Sequence, residues 1–543
     1  MDISRLARGR KRAGPIERSH ARESGAAEPL MVVDGQTALG VSSFLMESVV
    51  KYSGVVIYLL VLLGIGFAAS RRMKDVRDFF AAGKQLGFLS VAFSARATGE
   101  SAWLLIGLTG MGATVGLKAF WVVFGEVLGV TLAWLLMSRR FKRLTDRYDS
   151  ITVPDYLEAR FADSGHTLRL VSAFALAVFV TIYVSAQIDA TGQAFEDFLG
   201  WNYFVGALTG FTVVLVYITT GGFLAVAWSD VFQGALMFLG LVILPIVGLV
   251  SIGGWGEVAS RLAVTDPNLL TWSGSQTLSL EGVFGIISLA LIGVGFLGSP
   301  QIFVRFLALR DESEIPRGAS VAIVWTVLAD SGAVLIGMIG RAMLDGNPGE
   351  AVLPQLVEHL MPAFFVGLYI AIVLSAIMST ADSLLVLAAS AVVRDFYQQV
   401  RHPEIPDAAL VGMSRKATLG LAAVALVISL TVAVVTPDRS VFWFVIFGWS
   451  GIAATFCPTI ILSLFWSRMT AKGAIAAMLA GFLGVPLFAF GAPHLPEVGH
   501  LFKALSELPP AFLLSFIAGV VVSLRTSPPE SASADLAFSR GDA

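Results

Sequence analysis

The chain has 543 residues, 56% of them hydrophobic and 14% charged, with a net charge of −2. A soluble protein of this length carries nearer a quarter charged residues, so composition excludes a soluble globular domain, while the net charge points to no class of partner. A single cysteine, Cys457, excludes an internal disulfide and any cysteine-held metal cluster. The chain shows no phosphate-binding glycine loop, zinc signature or catalytic triad, so it is read as no enzyme and without a cofactor, and transport would draw on an ion gradient rather than on ATP.

Residues 1–43 are polar and arginine-rich and read as a disordered tail. A start codon placed too early is the other reading, with Met31 or Met46 as later starts. Thirteen apolar segments follow, at about 48–70, 86–112, 118–138, 168–195, 202–220, 223–250, 279–307, 318–342, 362–392, 414–435, 440–466, 472–491 and 508–524. Most match the roughly 20 residues that cross a bilayer as helix. The expectation is an all-α polytopic membrane domain over 44–524, followed by a disordered cytoplasmic tail at 525–543. The loops at 71–85 (Arg71, Arg72, Lys74, Arg77, Lys84), 139–167, 305–317 and 394–416 hold most of the loop Lys and Arg, which concentrate on the cytoplasmic side. This places the N-terminus outside and the C-terminus inside, in a bacterial inner membrane, although the arginine-rich tail would then have to be exported.

The second segment contains R-A-T-G-E-S-A-W, Arg96–Trp103. A charge at mid-membrane costs about 3 kcal/mol on insertion scales and usually faces a cavity or a partner, and Gly99 weakens the helix at the same point. Interrupted helices with free carbonyls at mid-depth are how secondary transporters build ion and solute sites. Arg96 and Glu100 are also spaced to pair along one helix, and Trp103 suits a packing role. The seventh segment contains G-V-G-F-L-G-S-P, Gly293–Pro300, whose glycines and proline predict a second break. Segments two and seven lie five apart, as an inverted five-helix repeat over about 86–250 and 279–466 would place them.

The ninth segment contains S-A-I-M-S-T-A-D-S, Ser375–Ser383. Ala376, Ser379, Thr380 and Ser383 share one helical face bordered by Asp382, and oxygen ligands of this kind suit a hard cation such as sodium. The competing reading is that the hydroxyls mediate helix packing. Tyr183, Gln187 and Asp189 in segment four and Asp230 in segment six are further polar candidates; either aspartate would be inexpensive near a membrane surface.

At these residues the chain resembles the sodium/solute symporter family, most closely its bacterial sodium/proline symporters. The resemblance runs from about Phe79 to Lys472 and includes F-F-A-A-G-K-Q-L-G, S-A-W-L-L-I-G-L-T-G, T-V-P-D-Y-L-E-A-R-F, G-G-F-L-A-V-A-W-S-D, G-S-P-Q-I-F-V-R-F, A-I-M-S-T and F-W-S-R-M-T-A-K-G-A. It implies a LeuT-type fold of about 13 transmembrane helices. It implies a sodium site from the carbonyls of Ala97, Glu100 and Ala376 with the hydroxyls of Ser379 and Thr380, and a second from Asp230, Ser379, Asp382 and Ser383. Gly99, Ser101, Ala102, Trp103, Tyr183, Phe296 and Pro300 would line the solute pocket. The chain departs from the proline symporters in having Gly99 where they carry an aspartate, Glu100 where they are apolar, Arg96 where they are small, and Ile292 and Phe296 where they carry Trp and Tyr. The function expected is sodium-coupled symport of a small organic solute, proline or a related amino acid, by alternating access. One alternative is a proton-coupled transporter with Arg96 near the ion site and Glu100, Asp189 or Asp382 titrating. Another is a solute sensor, whose signal would need a separate partner.

Overall fold

A computed structural model describes residues 35–71 and 80–542. Most of the expected tail at 1–43 lies outside these residues, as do Arg72, Lys74 and Arg77 of the first basic loop. Of residues 1–47, the described backbone begins the helix α1 (Gly35–Ser70), whose apolar stretch is Val49–Ala69. From there the described chain is helical, with one isolated bridge between Leu86 and Leu309.

The second expected segment is broken. Helix α2 (Phe88–Gly99) ends where Glu100 leaves helical geometry, Trp103–Leu108 runs in wide turns, and α3 (Thr109–Val115) completes the stretch. Helices α4 (Phe120–Leu132) and α5 (Ser138–Arg147) form the third segment and a polar extension of it. Thr152 caps α6 (Val153–Phe161) by accepting from Asp155 N, and Pro154 opens its first turn. Its Tyr156, Leu157 and Phe161 are buried, so α6 is packed rather than a surface helix. Then come α7 (Thr167–Leu199) and α8 (Tyr203–Ile252), the latter kinked at Gly222. A short helix, α9 (Trp255–Thr265), leads to the second broken span.

That span is α10 (Leu280–Leu291), a tight-turned stretch Ile292–Leu297, and α11 (Pro300–Ala308) with proline at its first turn. The tight-turned stretch lies directly against α4. A Cβ on Gly293 would stand 1.9 Å from the Gly125 carbonyl oxygen, so only glycine allows that approach. The second half continues with α12 (Ile315–Met343), α13 (Val352–Leu360), α14 (Ala363–Ser390), α15 (Asp407–Val435) and α16 (Val441–Phe465). Helices α17 (Ala471–Pro486), α18 (Gly499–Leu505) and α19 (Leu508–Leu524) follow.

Ten helices among the described residues are long and apolar enough to cross a membrane, or 11 if the bent α18–α19 pair is one span. The two other expected segments, 86–112 and 202–220, fall on stretches interrupted by the Glu100 break and the Gly222 kink, which is why length alone does not count them. Beyond α19, where an unpacked tail was expected, α20 (Ala532–Arg540) is a docked helix. Its Asp535 is buried and reaches Arg147 at 3.7 Å and Arg160 at 3.9 Å, while Arg143 donates to the Ser539 carbonyl.

Candidate functional site

The break after Gly99 brings the ends of α2 against α14. Ser379 Oγ donates to the Ala97 carbonyl at 2.9 Å and approaches that of Ala376 at 3.2 Å. Thr380 Oγ1 donates to the Thr98 carbonyl at 3.0 Å. Ala97, Ala376, Ser379 and Thr380 therefore meet at one point: two hydroxyls and three carbonyls, counting that of Thr98, all buried. A group of neutral oxygens at a helix interruption is what a monovalent hard cation accepts. The side chain of Glu100, four residues after Arg96, turns away from this point.

A second cluster lies one turn further along α14. Asp230 of α8 accepts from Ser94 Oγ at 2.6 Å, and Thr98 Oγ1 lies 2.9 Å from Ser383 Oγ. The cation here is Arg305 of α11. Its Nη2 donates to Thr98 and Ser383 at 2.6 Å each and to Asp230 at 3.1 Å, its Nε to Ser94 at 3.0 Å, and its Nη1 to the Gln301 carbonyl at 2.5 Å. Asp382 is buried on the same helix. The sequence reading quoted the run that contains Arg305 without singling it out; the signal available was an arginine five residues beyond the break at Pro300.

Arg96 does not face these hydroxyls, contrary to the placement near the ion site considered from sequence. Successive residues turn by about 100° in a helix, so Arg96 and Glu100 project from the face of α2 opposite Ser94 and Thr98. Arg96 pairs with Glu100, lies 3.8 Å from Glu126 of α4, and stands over the rings of Phe296 at 4.7 Å and Trp325 at 5.5 Å. Asp330 of α12 joins them: carboxylate oxygens of Glu100, Glu126 and Asp330 all lie within 4.8 Å of one another. Glu126 and Asp330 were missed, although each is the lone acid of an apolar segment.

Several of the residues expected to line a solute pocket touch one another or a common neighbour. Tyr183 Oη lies 3.2 Å from Ser101 Oγ, and Ala102 N donates to Gln187 Oε1 at 3.2 Å. Trp103 Nε1 donates to the Gly99 carbonyl at 3.0 Å, which ties its ring to the break. Trp449 of α16 donates to the Ile292 carbonyl and stacks at a tilt on Phe296, with centroids 5.1 Å apart. Phe296 occupies the space beside Gly99, where a Cβ would stand 2.8 Å from its ring. Pro300 is buried at the first turn of α11. Phe442, edge-on to Trp103, also lines a cavity of about 480 Å³ with Thr114, Lys118, Trp443 and Lys503. Asp189 stands apart from all of these: it accepts from Tyr203 Oη at 2.5 Å and pairs with Arg439.

The sequence matches the sodium:solute symporter family over residues 79–481. It is 36% identical over 482 residues to the high-affinity proline transporter PutP of Bacillus subtilis, covering 87% of this chain and 98% of that one. It is 31% identical over 500 residues to the sodium/proline symporter of Escherichia coli, covering 90% and 95%. The fold matches that of a sodium-coupled sialic acid symporter with a TM-score of 0.72 at 17% identity, over 88% of this chain and 98% of that structure.

Proposed function

Since the chain belongs to the sodium:solute symporter family, we propose that it is a sodium-coupled symporter of the bacterial plasma membrane whose solute is L-proline or a close amino-acid relative. It is a transporter, not an enzyme, and has the inverted five-helix repeat of LeuT-type proteins. The observation that carries the reading is the convergence of Ser379 and Thr380 on the carbonyls of Ala97 and Thr98 at the interruption of α2. Sodium bound there, with Ala376 and the Glu100 carbonyl as further ligands, would tie α14 to α2. Solute bound along Gly99, Ser101, Ala102, Trp103, Tyr183, Phe296 and Pro300 would tie α2 to α7 and α11. Ligands that favour the same closed arrangement bind with positive coupling, and only their joint binding favours the rocking step.

The second cation position is read differently. Arg305 already supplies a positive charge to Asp230, Thr98 and Ser383, so we assign one sodium per solute, with the guanidinium in place of another ion. The N-terminus is assigned to the outside and the C-terminus to the cytoplasm, on the charge of the loops.

The test is uptake of labelled proline into proteoliposomes under an inward sodium gradient, and separately under a proton gradient. Sodium-dependent uptake with a Hill coefficient for sodium near one is expected. Ser379→Ala should raise the sodium concentration for half-activation about tenfold, the effect of losing roughly 1.4 kcal/mol of binding. Uptake driven by protons alone overturns the reading.

A further inference from the structure

Buried charge is most concentrated at Arg96. Four ionisable side chains from three helices meet inside the membrane domain: Arg96 and Glu100 on α2, Glu126 on α4 and Asp330 on α12. All are 1% exposed or less. Unlike Arg305, Arg96 meets no hydroxyl: it is ion-paired with Glu100 and lies near Glu126, and among the described residues neither oxygen of Asp330 or Glu126 has a hydrogen-bond partner. The guanidinium is held by charge from the carboxylates and by the faces of two rings, Phe296 and Trp325.

Phe296 is the one member of this assembly that also belongs to the solute wall. It sits on the tight-turned stretch between α10 and α11, and three contacts fix its ring. Trp449 packs against it, the missing side chain at Gly99 leaves room for its edge, and Arg96 covers its face. Trp449 is itself anchored to the Ile292 carbonyl at 2.9 Å. Of these contacts, only Arg96 brings in α4 and α12.

We propose that Arg96 is a positioning residue for the solute pocket: Glu100, Glu126 and Asp330 hold its guanidinium over Phe296, and the ring fixed in this way sets the size of solute the pocket admits. The inference rests on the reading of Phe296 as a pocket residue in a symporter. A ring held against Gly99 on one side and Trp449 on another has no room to retreat. The pocket therefore admits a five-membered imino acid and disfavours its six-membered homologue. Discrimination against one added methylene spans roughly 10–200-fold when the wall is rigid. Loosening the ring reduces that ratio without removing the sodium site on α14.

The experiment compares uptake of L-proline and L-pipecolate, which differ by one ring methylene, in wild type, Arg96→Gln, Phe296→Leu and the double variant. Wild type should prefer proline in kcat/KM. Phe296→Leu and Arg96→Gln should each reduce that preference by about tenfold, through the KM for proline rather than kcat, and the double variant should go no further than the larger single effect. A preference unchanged in Arg96→Gln, with both solutes slowed equally, overturns the proposal and leaves Arg96 a packing element. So does simple additivity of the two substitutions. If Arg96→Gln leaves the carboxylates too unbalanced to fold, Asp330→Asn is the second variant: it loosens the guanidinium and should shift the preference in the same direction. A wild type that takes up neither solute fails the proposed substrate instead. Thermal unfolding of the same four proteins then decides, where coupling between Arg96 and Phe296 is expected and additivity overturns the inference.

Discussion

Two arginines are buried against opposite faces of α2, and they are held in different ways. Arg305 is a hydrogen-bonded donor: Ser94, Thr98, Ser383, Asp230 and the Gln301 carbonyl accept from it at 2.5–3.1 Å. Asp230 is the carboxylate that bonds the cation, and hydroxyls supply three of the other contacts. Arg96 faces three carboxylates and two aromatic rings, with no hydroxyl among its partners in the described residues. The first arrangement is specified atom by atom. The second is specified by charge and shape. A hydrogen-bonded cluster resists the loss of a bonded member, because each such loss leaves a buried donor or acceptor unpaired. A cluster with surplus carboxylate tolerates the loss of an acid better than the loss of its cation.

The largest expected effect separates the two most directly. Arg305→Gln removes the charge opposite Asp230 and leaves an uncompensated carboxylate, which for a buried pair costs about 3–5 kcal/mol. Little folded protein should remain in membranes, measured as the monodisperse fraction after detergent extraction. The double variant Arg305→Gln, Asp230→Asn removes the imbalance and should recover much of it. A double variant no better than the single would show that the hydroxyl contacts, rather than charge balance, hold this cluster.

A medium effect, of opposite sign at the two sites, comes from neutralising one acid in each. Asp230→Asn strands Arg305 and should lower the midpoint of thermal unfolding in detergent, by an amount equivalent to about 2–3 kcal/mol. Asp330→Asn relieves a group of three carboxylates that share one guanidinium and should leave the midpoint unchanged or raise it by about 1 kcal/mol. Equal destabilisation at both sites would remove the distinction.

The two clusters also differ in how far the sequence disclosed them. The hydroxyl face of α14 was legible because Ala376, Ser379, Thr380 and Ser383 recur at helical spacing, and the two breaks were legible from Gly99 and Gly293–Pro300. Orientation across the break was not. Which way Arg96 points depends on Glu126 and Asp330, each more than 20 residues away in sequence and each, alone, the single acid of an apolar segment. Arg305 was hidden for the converse reason. One arginine after a proline break is unremarkable until the fold brings Ser94, Asp230 and Ser383 around it. The docking of α20 was illegible because its Asp535 gains meaning only beside Arg147 and Arg160. Composition marks such a stretch as polar, and composition carries no information about a partner surface.

The smallest expected effect extends the comparison to a third arginine cluster, around Arg169, which lies beside a polar cavity. Arg169 pairs with Asp155 at 2.6 Å, Glu158 at 2.6 Å and Asp395 at 2.8 Å, and Arg394 approaches Asp155 at 3.5 Å. A polar cavity of about 550 Å³ borders this group. Burial alone would raise the affinity of Asp155 for a proton, but Arg394 and Arg169 outweigh it and hold the carboxyl below the ordinary carboxylate range. A carboxyl depressed in the folded state contributes stability that is fully present above its unfolded value, near pH 4. That stability is lost as pH falls through the lower folded value. Asp155→Asn should therefore lower the unfolding midpoint at neutral pH by the equivalent of about 1 kcal/mol, since water beside the cluster reduces the cost of separating its charges. The difference from wild type should shrink below about pH 4 and close at lower pH, where the wild-type carboxyl is itself protonated. A difference that stayed constant across that range would mean that Asp155 acts through its hydrogen bond from Ile151 N, at 3.2 Å, and the cluster would then resemble the hydrogen-bonded one around Arg305 rather than the charge-held one around Arg96.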